Sequence, residues 1–344
     1  MSADSPDSEQ KAPPDKGASS FVYPATAANL EFFAGILRSG GMVAIPTETV
    51  YGLAGLALSE PACRRIFSVK GRPLVDPLIV HVTGIEMARN LAETTPAFIR
   101  LAEHFWPGPL TIILRKKPVV PDIVTAGKST VALRMPRHAA TQELLRRTAA
   151  PLAAPSANPF GYISPSRAGH VAESFGDRVP YILDGGPCEV GLESTILDIS
   201  SPDNPTILRP GAVTAEAIGK LLGRPVSIRS SKAAENVPAA APGTFARHYS
   251  PSTPLLLFEQ TRRPNPPEDE AVLLLQRPDG TEFSPNVFWL SEDGNLEEVG
   301  RSLFAVLRKL DKGSFKAIHC EFPAESPNGL SRALRDRMTR AAAK

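Results

Sequence analysis

Short apolar runs alternate with helical patterns through the first two thirds of the chain. Apolar residues at helical spacing predict a first helix through Arg38, with Thr26 as its N-cap, and further helices over 60–69, 95–105, 139–148 and 166–175. Runs of four to seven mostly apolar residues predict buried strands at 42–45, 78–82, 110–114, 130–135, 181–184, 194–200 and 206–210. This mixture of strands and helices predicts an α/β or α+β fold.

The pattern changes near residue 225. Residues 225–253 are rich in Pro, Ser and Ala and lack an apolar period, which is typical of a linker. Strand-like runs then recur at 254–258, 270–275 and 316–322, with helical patterns at 295–310 and from Leu330 to Met338. We therefore expect a polar, disordered tail over 1–20, a main domain over 21–224, the linker, and a smaller α/β domain over 254–344.

The last helical pattern also carries four arginines. Spaced among the apolar positions of the helix, they predict a basic, solvated face, with contact to RNA as the alternative. The four are Arg332, Arg335, Arg337 and Arg340.

Composition narrows the class of protein. The 344 residues are 42% apolar and 22% charged, which excludes a collagen-like or wholly disordered chain. The net charge of +2 gives no broad basic field for nucleic acid. Three distant cysteines without a CxxC pair indicate a reducing, cytoplasmic compartment, and the absence of a long apolar run or signal peptide predicts no membrane association.

Two polar segments interrupt apolar strands. In IPTETVYGLAG (45–55), Thr47, Glu48 and Thr49 follow a strand and precede glycines, which allow a ligand to approach the backbone; a simple Pro–Thr turn is the alternative. In STVALRMPRH (129–138), Arg134 lies within an apolar strand. A buried arginine needs an anion, which is either a protein carboxylate or a substrate carboxylate.

Basic and hydroxyl residues form the other candidates. Lys70 and Arg72 flank Gly71, and this pair could clamp a triphosphate or form a solvated basic turn. His81 lies in a strand and is either a ligand-binding or a core histidine. A Pro-rich loop offers directed hydrogen bonds from Ser156, Asn158 and Ser164, and further polar residues stand at strand ends: Asp76, Ser194 and Arg209.

These motifs in this order resemble one family, whereas the chain lacks a P-loop, a GxGxxG fingerprint, an HExxH motif and a convincing catalytic triad. Residues 21–224 resemble the YrdC-like family, and the whole chain resembles its two-domain threonylcarbamoyl-AMP synthases. The resemblance rests on PTETVYGL (46–53), KGRP (70–73), PLIVHV (77–82), FWPGPLT (105–111), ALRMP (132–136), APSAN (154–158), the run from Gly161 to Pro165, STILD (194–198), LRPG (208–211) and PGTFARHYSP (242–251).

The resemblance implies a fold and an activity. Such enzymes have a twisted open α/β sheet with a concave basic cavity and a Rossmann-like second domain. They condense L-threonine, bicarbonate and ATP, which carries Mg²⁺, into threonylcarbamoyl-AMP and pyrophosphate. A partner transferase then modifies the adenosine beside the anticodon of tRNA, so contact of the synthase itself with tRNA would be indirect.

The resemblance also assigns roles to residues. Threonine would be bound by Thr49, His81, Arg134 and Ser194, beside the backbone of Ala154. Lys70, Arg72, Ser156 and Asn158 would act in catalysis. ATP would be bound by Arg72, Asp76, Thr130, Ser156, Ser164, Arg209 and Tyr249.

The linker resembles the family's interdomain lid, in which Tyr249, Arg247 and His248 would cover the site. Replacing these three residues is expected to leave the fold nearly intact. Several positions depart from the family pattern: Asp76 where asparagine is common, Phe160 where a polar residue is usual, and Thr244, Phe245 and Ala246 in the lid.

Two other functions compete with this interpretation. A carbamoyltransferase of hydrogenase maturation also contains a YrdC-like domain, but that family adds an acylphosphatase domain and Cys-rich zinc motifs, and paired CxxC motifs are absent here. An RNA-binding module is the second alternative, which the small net charge disfavours.

Overall fold

The computed structural model describes residues 21–201, 203–229, 248–280, 284–326 and 329–343. The predicted tail lies outside the described residues. So does most of the predicted lid, including Arg247, Thr244, Phe245 and Ala246.

The main domain is built on one large mixed sheet. Its strands within the described residues are β1 (Val22–Pro24), β2 (Val43–Ile45), β3 (Gly52–Leu56), β4 (Ile79–His81), β5 (Leu110–Arg115), β6 (Thr130–Arg134), β7 (Leu152–Ala153), β8 (Ile182–Asp184), β9 (Thr195–Asp198), β10 (Thr206–Arg209) and β11 (Ser227–Ile228). Their order across the sheet is β1-β8-β2-β3-β7-β4-β6-β5-β9-β10-β11. Each of the seven predicted strands is confirmed. The segment after Tyr51, for which the sequence predicted no strand, forms β3, and β11 continues the sheet past the predicted boundary at 224.

Register in the sheet centre brings distant residues together. β4 and β6 run parallel, with His81 opposite Arg134. β7 pairs antiparallel with β4 and with β3, which places Ala153 opposite Val80 on one side and Gly55 on the other. His81 and Arg134 therefore stand together at the carboxyl ends of β4 and β6, and His81 lies opposite Leu152 at the start of β7.

Helices cover the sheet. They are α1 (Ala27–Arg38), α2 (Glu60–Lys70), α3 (Ile85–Leu91), α4 (Pro96–Phe105), α5 (Asp122–Thr125), α6 (Ala139–Thr148), α7 (Ala168–Phe175) and α8 (Ala215–Leu222). The five predicted helices are confirmed, and the Thr26 hydroxyl caps α1 by accepting the Asn29 N–H at 3.2 Å. The short α3, α5 and α8 escaped the sequence analysis.

The second domain is smaller and its sheet is parallel throughout. Its described elements are β12 (Leu255–Glu259), β13 (Ala271–Gln276), β14 (Val287–Ser291), α9 (Leu296–Asp311), β15 (Ile318–Phe322) and α10 (Gly329–Ala342). The strand order is β12-β15-β13-β14. This confirms the second, smaller α/β domain. The described helices include none with the length and apolarity that a bilayer crossing needs.

One apolar cluster spans both domains. Val50, Ile163 and Leu192 of the main domain pack with the second domain's core and with Tyr249 of the linker. The predicted solvated face of α10 is wrong in part, because Arg337 and Arg340 are buried. Arg337 donates to Glu193 and to the Pro210 carbonyl of the main domain. The Arg340 side chain donates to Asp336 of its own helix, while its backbone carbonyl accepts from the Ser250 hydroxyl of the linker.

Candidate active site

A small cavity lies where the central strands end. It encloses about 40 Å³. Among its lining residues are many that the sequence predicted as site residues: Thr49, Arg72, His81, Arg134, Ala154, Ser156, Ser194, Arg209, His248 and Tyr249. The topology thus brings together side chains that are separated by up to 200 residues in the chain.

Other predicted residues do not line this cavity. Thr130 begins β6, four residues before Arg134, and is therefore about 13 Å away along the strand. Lys70, Asp76, Asn158 and Ser164 lie behind the lining residues and contact them or their neighbours. The catalytic roles predicted for Lys70 and Asn158 stay predictions, as do the ATP-binding roles of Asp76, Ser164 and Thr130.

The turn after α2 positions the side chains of Lys70 and Arg72. Gly71 ends the helix in the left-handed conformation, with φ of 63°, which a glycine adopts without steric cost. Lys70 and Arg72 are only 3% and 7% exposed, so the alternative of a solvated basic turn is wrong. Lys70 Nζ donates to the carbonyls of Ser156 at 2.6 Å and Asn158 at 2.5 Å. Burial, with the charge of Arg72, lowers the Lys70 pKa well below its usual value.

Asp76 forms an ion pair with Arg72. Its carboxylate is fully buried and lies 2.9 Å from Nη2 of Arg72. The same guanidinium donates to the carbonyls of Asp76 at 3.1 Å and Pro77 at 2.7 Å. The acidic residue, unusual for the family, is therefore paired with an arginine rather than turned towards the cavity.

Arg134 has a protein carboxylate as its partner. Its Nη2 lies 2.7 Å from Oε1 of Glu48, and its Nε donates to the Gly108 carbonyl at 3.3 Å. The other carboxylate oxygen accepts the backbone N–H of Arg137 at 3.0 Å. Burial raises the Glu48 pKa, but the Arg134 charge together with the hydrogen bonds from Arg134 and from the backbone holds this pKa below its usual value. The sequence analysis assigned no role to Glu48, although a carboxylate beside a buried strand was a usable signal.

His81 is a neutral imidazole at the cavity. Burial, supported by the positive charge of Arg134, lowers its pKa to about 3. Its Nδ1 has no hydrogen-bond partner among the residues that the structure describes. Because the ring lines the cavity and stays uncharged near neutral pH, it can exchange a hydrogen bond with a ligand hydroxyl or amine.

Hydroxyl groups line the same region. Ser194 Oγ and Thr111 Oγ1 are 2.7 Å apart, and Arg209 Nη2 donates to Ser194 Oγ at 3.1 Å. Thr49 Oγ1 lies 2.8 Å from Thr47 Oγ1. These short side chains are positioned by one another, which keeps their orientation fixed.

The Pro-rich loop after β7 is tied to β3 by its backbone. The Leu53 N–H donates to the Pro155 carbonyl at 2.8 Å, and the Ala157 N–H donates to the Tyr51 carbonyl at 2.8 Å. A Cβ placed on Gly52 would lie 3.2 Å from the Cβ of Ala154, so small residues are needed at this contact. The loop is therefore a rigid wall of the cavity and not an ordinary surface turn.

The linker closes the cavity with two aromatic residues. His248 packs edge-on against Phe160, with ring centres 6.0 Å apart. Tyr249 is fully buried, with φ of 64°, and its ring stacks on Phe304 of the second domain at 5.6 Å. Tyr249 is part of the core between the domains, so the structure argues against the expectation that replacing Arg247, His248 and Tyr249 leaves the fold nearly intact.

Carboxylates near the cavity are each paired with an arginine. Besides Glu48 and Asp76, Glu193 is bound by Arg337 at 2.7 Å. In the described part of the chain no three His, Cys, Asp or Glu residues form a candidate metal centre. That Mg²⁺ arrives with the phosphates of ATP stays a prediction, which needs few protein ligands because Mg²⁺ often keeps its waters.

Comparisons with known proteins agree on both domains. A family model named for Sua5, YciO and YrdC, with the description "Telomere recombination", matches residues 35–211. A second, "Threonylcarbamoyl-AMP synthase, C-terminal domain", matches residues 213–343. The chain is 39% identical to a threonylcarbamoyl-AMP synthase of Pyrococcus abyssi, over 90% of this chain and 92% of that protein. It is 37% identical to the Bacillus subtilis enzyme of that name, over 90% and 91%.

A solved structure shares the arrangement of both domains. The crystal structure of Pyrococcus abyssi Sua5 complexed with L-threonine superposes with a TM-score of 0.82 at 36% identity, and the match covers 94% of this chain and 97% of that one. Each domain matches one family model, and the relatives have about the same length as this chain, so all comparisons indicate the same family. The chain belongs to the Sua5, YciO and YrdC family and, within it, to the two-domain threonylcarbamoyl-AMP synthases.

Proposed function

We propose that this chain condenses L-threonine, bicarbonate and ATP into threonylcarbamoyl-AMP and pyrophosphate. The observation that carries the proposal is one cavity that collects three buried guanidinium groups beside a neutral imidazole. Arg72, Arg134 and Arg209 supply positive charge for carboxylate and phosphate groups, and His81 supplies a hydrogen bond without charge.

The reaction needs positioning more than a protein nucleophile. The threonine amine first attacks bicarbonate, which forms the carbamate N–C bond and releases water. A carbamate oxygen then attacks the α-phosphorus of ATP, and the bond to the β-phosphate oxygen breaks as pyrophosphate leaves. Arg72 and Arg209 lie where they can stabilise the charge that develops on the leaving group.

His81 and Arg134 are suited to the amino acid. Arg134 lines the cavity and forms an ion pair with Glu48. Its remaining N–H groups can therefore bind a carboxylate. Since its pKa is about 3, the His81 imidazole orients a hydroxyl or amine and does not carry a proton between substrates. Thr49 and Ser194 add hydroxyls that recognise the threonine side chain.

Cofactor, partners and location follow the same proposal. ATP brings Mg²⁺, which neutralises phosphate charge when bound. The product passes to a threonylcarbamoyl transferase, which modifies the adenosine next to the anticodon in the cytoplasm, and tRNA contact with this chain is indirect. The buried free thiols Cys63, Cys188 and Cys320 are compatible with a reducing compartment.

One assay tests the proposal. The protein is incubated with threonine, bicarbonate and MgATP, and pyrophosphate and a labile threonylcarbamoyl adenylate are measured, with bicarbonate omitted as the control. A site that bonds a hydroxyl rejects substrates that lack it. We expect the rate to fall from threonine to serine and much further with valine. Equal rates with valine would refute the hydroxyl contacts, and salt-sensitive tRNA binding without turnover would favour an RNA-binding module.

A further inference from the structure

The last helix brings an arginine of the second domain to the back of the cavity. Arg337, in α10, is completely buried. Its Nε donates to Oε2 of Glu193 at 2.7 Å, and its Nη2 donates to the Pro210 carbonyl at 2.9 Å. Glu193 and Pro210 lie beside β9 and β10 of the main domain. The guanidinium therefore crosses the interface between the domains.

The same guanidinium contacts the linker. Its central carbon lies 5.3 Å from the ring centre of Tyr249, which is the geometry of a cation–π contact. The Tyr249 ring also stacks on Phe304, so two residues of the second domain hold it. Tyr249 and Glu193 both line the cavity. Arg337 thus touches two lining residues without lining the cavity itself.

The ion pair between Arg337 and Glu193 affects how strongly the cavity attracts a polyphosphate. Glu193 is a nearly buried carboxylate in a cavity that Arg72 and Arg209 make attractive to anions. An uncompensated carboxylate there would repel the phosphates of ATP. Its Oε1 accepts the Ser164 hydroxyl at 2.6 Å, and its ion pair within the described residues is with Arg337.

Arg337 is held in its charged form. Burial alone lowers the Arg337 pKa, but the facing groups Tyr249, Glu193 and Asp336 raise it above its usual value. Asp336 lies 2.6 Å from Nη1. The planar guanidinium contacts Glu193, Asp336 and the Pro210 carbonyl through separate nitrogens, whereas a lysine has a single ammonium group.

We propose that Arg337 is a positioning residue for the adenylation reaction, supplied by the second domain. It neutralises Glu193 and fixes Tyr249, so the cavity accepts the phosphates of ATP only when the second domain is docked. This inference rests on the proposed function and gives the second domain a part in the active site.

Steady-state kinetics separate positioning from general stability. The variants are Arg337→Gln and, should that one fail to fold, Arg337→Lys. The matched control is Arg335→Lys, because Arg335 lies on the same helix and contacts Phe322 and Pro323 within the second domain. Loss of folded enzyme lowers apparent kcat but leaves KM unchanged. We expect Arg337→Gln to raise the KM for MgATP about tenfold, and the control to leave it within about twofold. Arg337→Lys keeps the charge but loses the planar fork, so its KM should lie between these two values.

A double variant tests the charge argument. If Arg337 acts by neutralising Glu193, then adding Glu193→Gln to Arg337→Gln removes the repulsion. The KM for MgATP should return to within about threefold of the value for Glu193→Gln alone, which is a non-additive result. Additive effects of the two substitutions would overturn the proposal, as would an unchanged KM or an equal rise in the Arg335 control.

Hydrogen exchange gives a readout that does not depend on turnover. The amides of residues 248–250 should exchange faster in the Arg337 variants than in the wild-type protein, while those of β4 and β6 keep their protection. Absence of product from the wild-type protein would count against the proposed function alone. Unchanged exchange at 248–250 would overturn the hold of Arg337 on the linker.

Discussion

Glu48 and Arg134 form an ion pair at 2.7 Å, with only 1% and 5% of their side chains exposed. The Arg137 N–H fixes the second carboxylate oxygen of Glu48, and the Gly108 carbonyl fixes Nε of Arg134. The arginine is therefore oriented by the protein before any substrate binds. Such preorganisation is what a site needs in order to recognise a carboxylate with little loss of entropy.

Replacing Glu48 by glutamine should destabilise the protein and weaken threonine binding. The substitution leaves the Arg134 charge buried without a counter-charge, which typically costs about 3–5 kcal/mol. We expect a loss of this order in the free energy of unfolding, measured by urea titration, and at least tenfold weaker threonine binding by calorimetry.

The double variant Glu48→Gln/Arg134→Met is the control for this pair. It should regain much of the stability, because neither charge remains, but it should not regain threonine binding. Unchanged stability in Glu48→Gln, or threonine binding by the double variant, would contradict the role assigned to Arg134.

Sequence patterns located most of this site because its residues belong to local motifs. His81 and Arg134 were identifiable as polar residues within apolar strands, and strand register then placed them opposite each other. Glu48 gave a usable signal as a carboxylate next to a buried strand, but its pairing with Arg134 was not predictable, since Arg134 lies 86 positions away in the chain. Arg337 was read as a surface residue for the same reason: helical periodicity shows which side of a helix is polar, but not which domain covers it.

The buried histidines should make the protein sensitive to mild acid. The pKa of His81 is lowered from 6.5 to about 3 by burial first and then by Arg134, and that of His248 is lowered well below 6.5 by burial and several arginines. Between these values and pH 6.5 the unfolded chain takes up a proton that the folded chain does not. Stability should therefore fall as the pH drops below 6.5, by about 1.4 kcal/mol per pH unit for each histidine.

Urea unfolding between pH 7 and pH 5 measures this dependence. The variant His81→Asn should lose about one histidine's share of the slope, whereas His104→Gln, at an exposed position, should keep the wild-type slope. Identical slopes in all three proteins would show that the His81 imidazole is protonated in the folded state.

Variants of Arg72 and of Lys70 should lose activity for different reasons. With both cations assigned to catalysis, alanine at either position was expected to remove stabilisation of the charge that develops on the leaving pyrophosphate. The structure places only Arg72 at the cavity, so Arg72→Gln should lower the rate of pyrophosphate release by about 10²–10³. Adding Asp76→Asn should restore stability lost with the Arg72–Asp76 pair, but not the rate.

Lys70→Met tests the supporting role. It leaves the carbonyls of Ser156 and Asn158 unpaired in the interior, at a cost of about 1–3 kcal/mol for each. The variant should unfold at lower urea concentration and lose activity because the loop shifts. A wild-type unfolding midpoint together with a greatly reduced rate would instead indicate that Lys70 contacts the phosphates directly.

Tyr249 should be a structural residue of the interface as well as part of the cavity wall. Its ring is buried between Phe304 and Arg337, so Tyr249→Ala should cost about 3–5 kcal/mol, as for other large aromatic residues in cores. Tyr249→Phe keeps the ring and should keep the stability.

The cavity of about 40 Å³ is far below the roughly 300–1,000 Å³ of drug-sized ligand pockets, so we expect His248 and Tyr249 to shift when both substrates bind. The Tyr249 ring holds this closed arrangement through its contacts with Phe304 and Arg337. Tyr249→Ala should therefore bind ATP with weaker affinity in calorimetry and with faster association in stopped-flow measurements, whereas Tyr249→Phe should resemble the wild-type protein. Equal stability of the alanine and phenylalanine variants would show that the ring does not join the domains, and the linker would then be a tether.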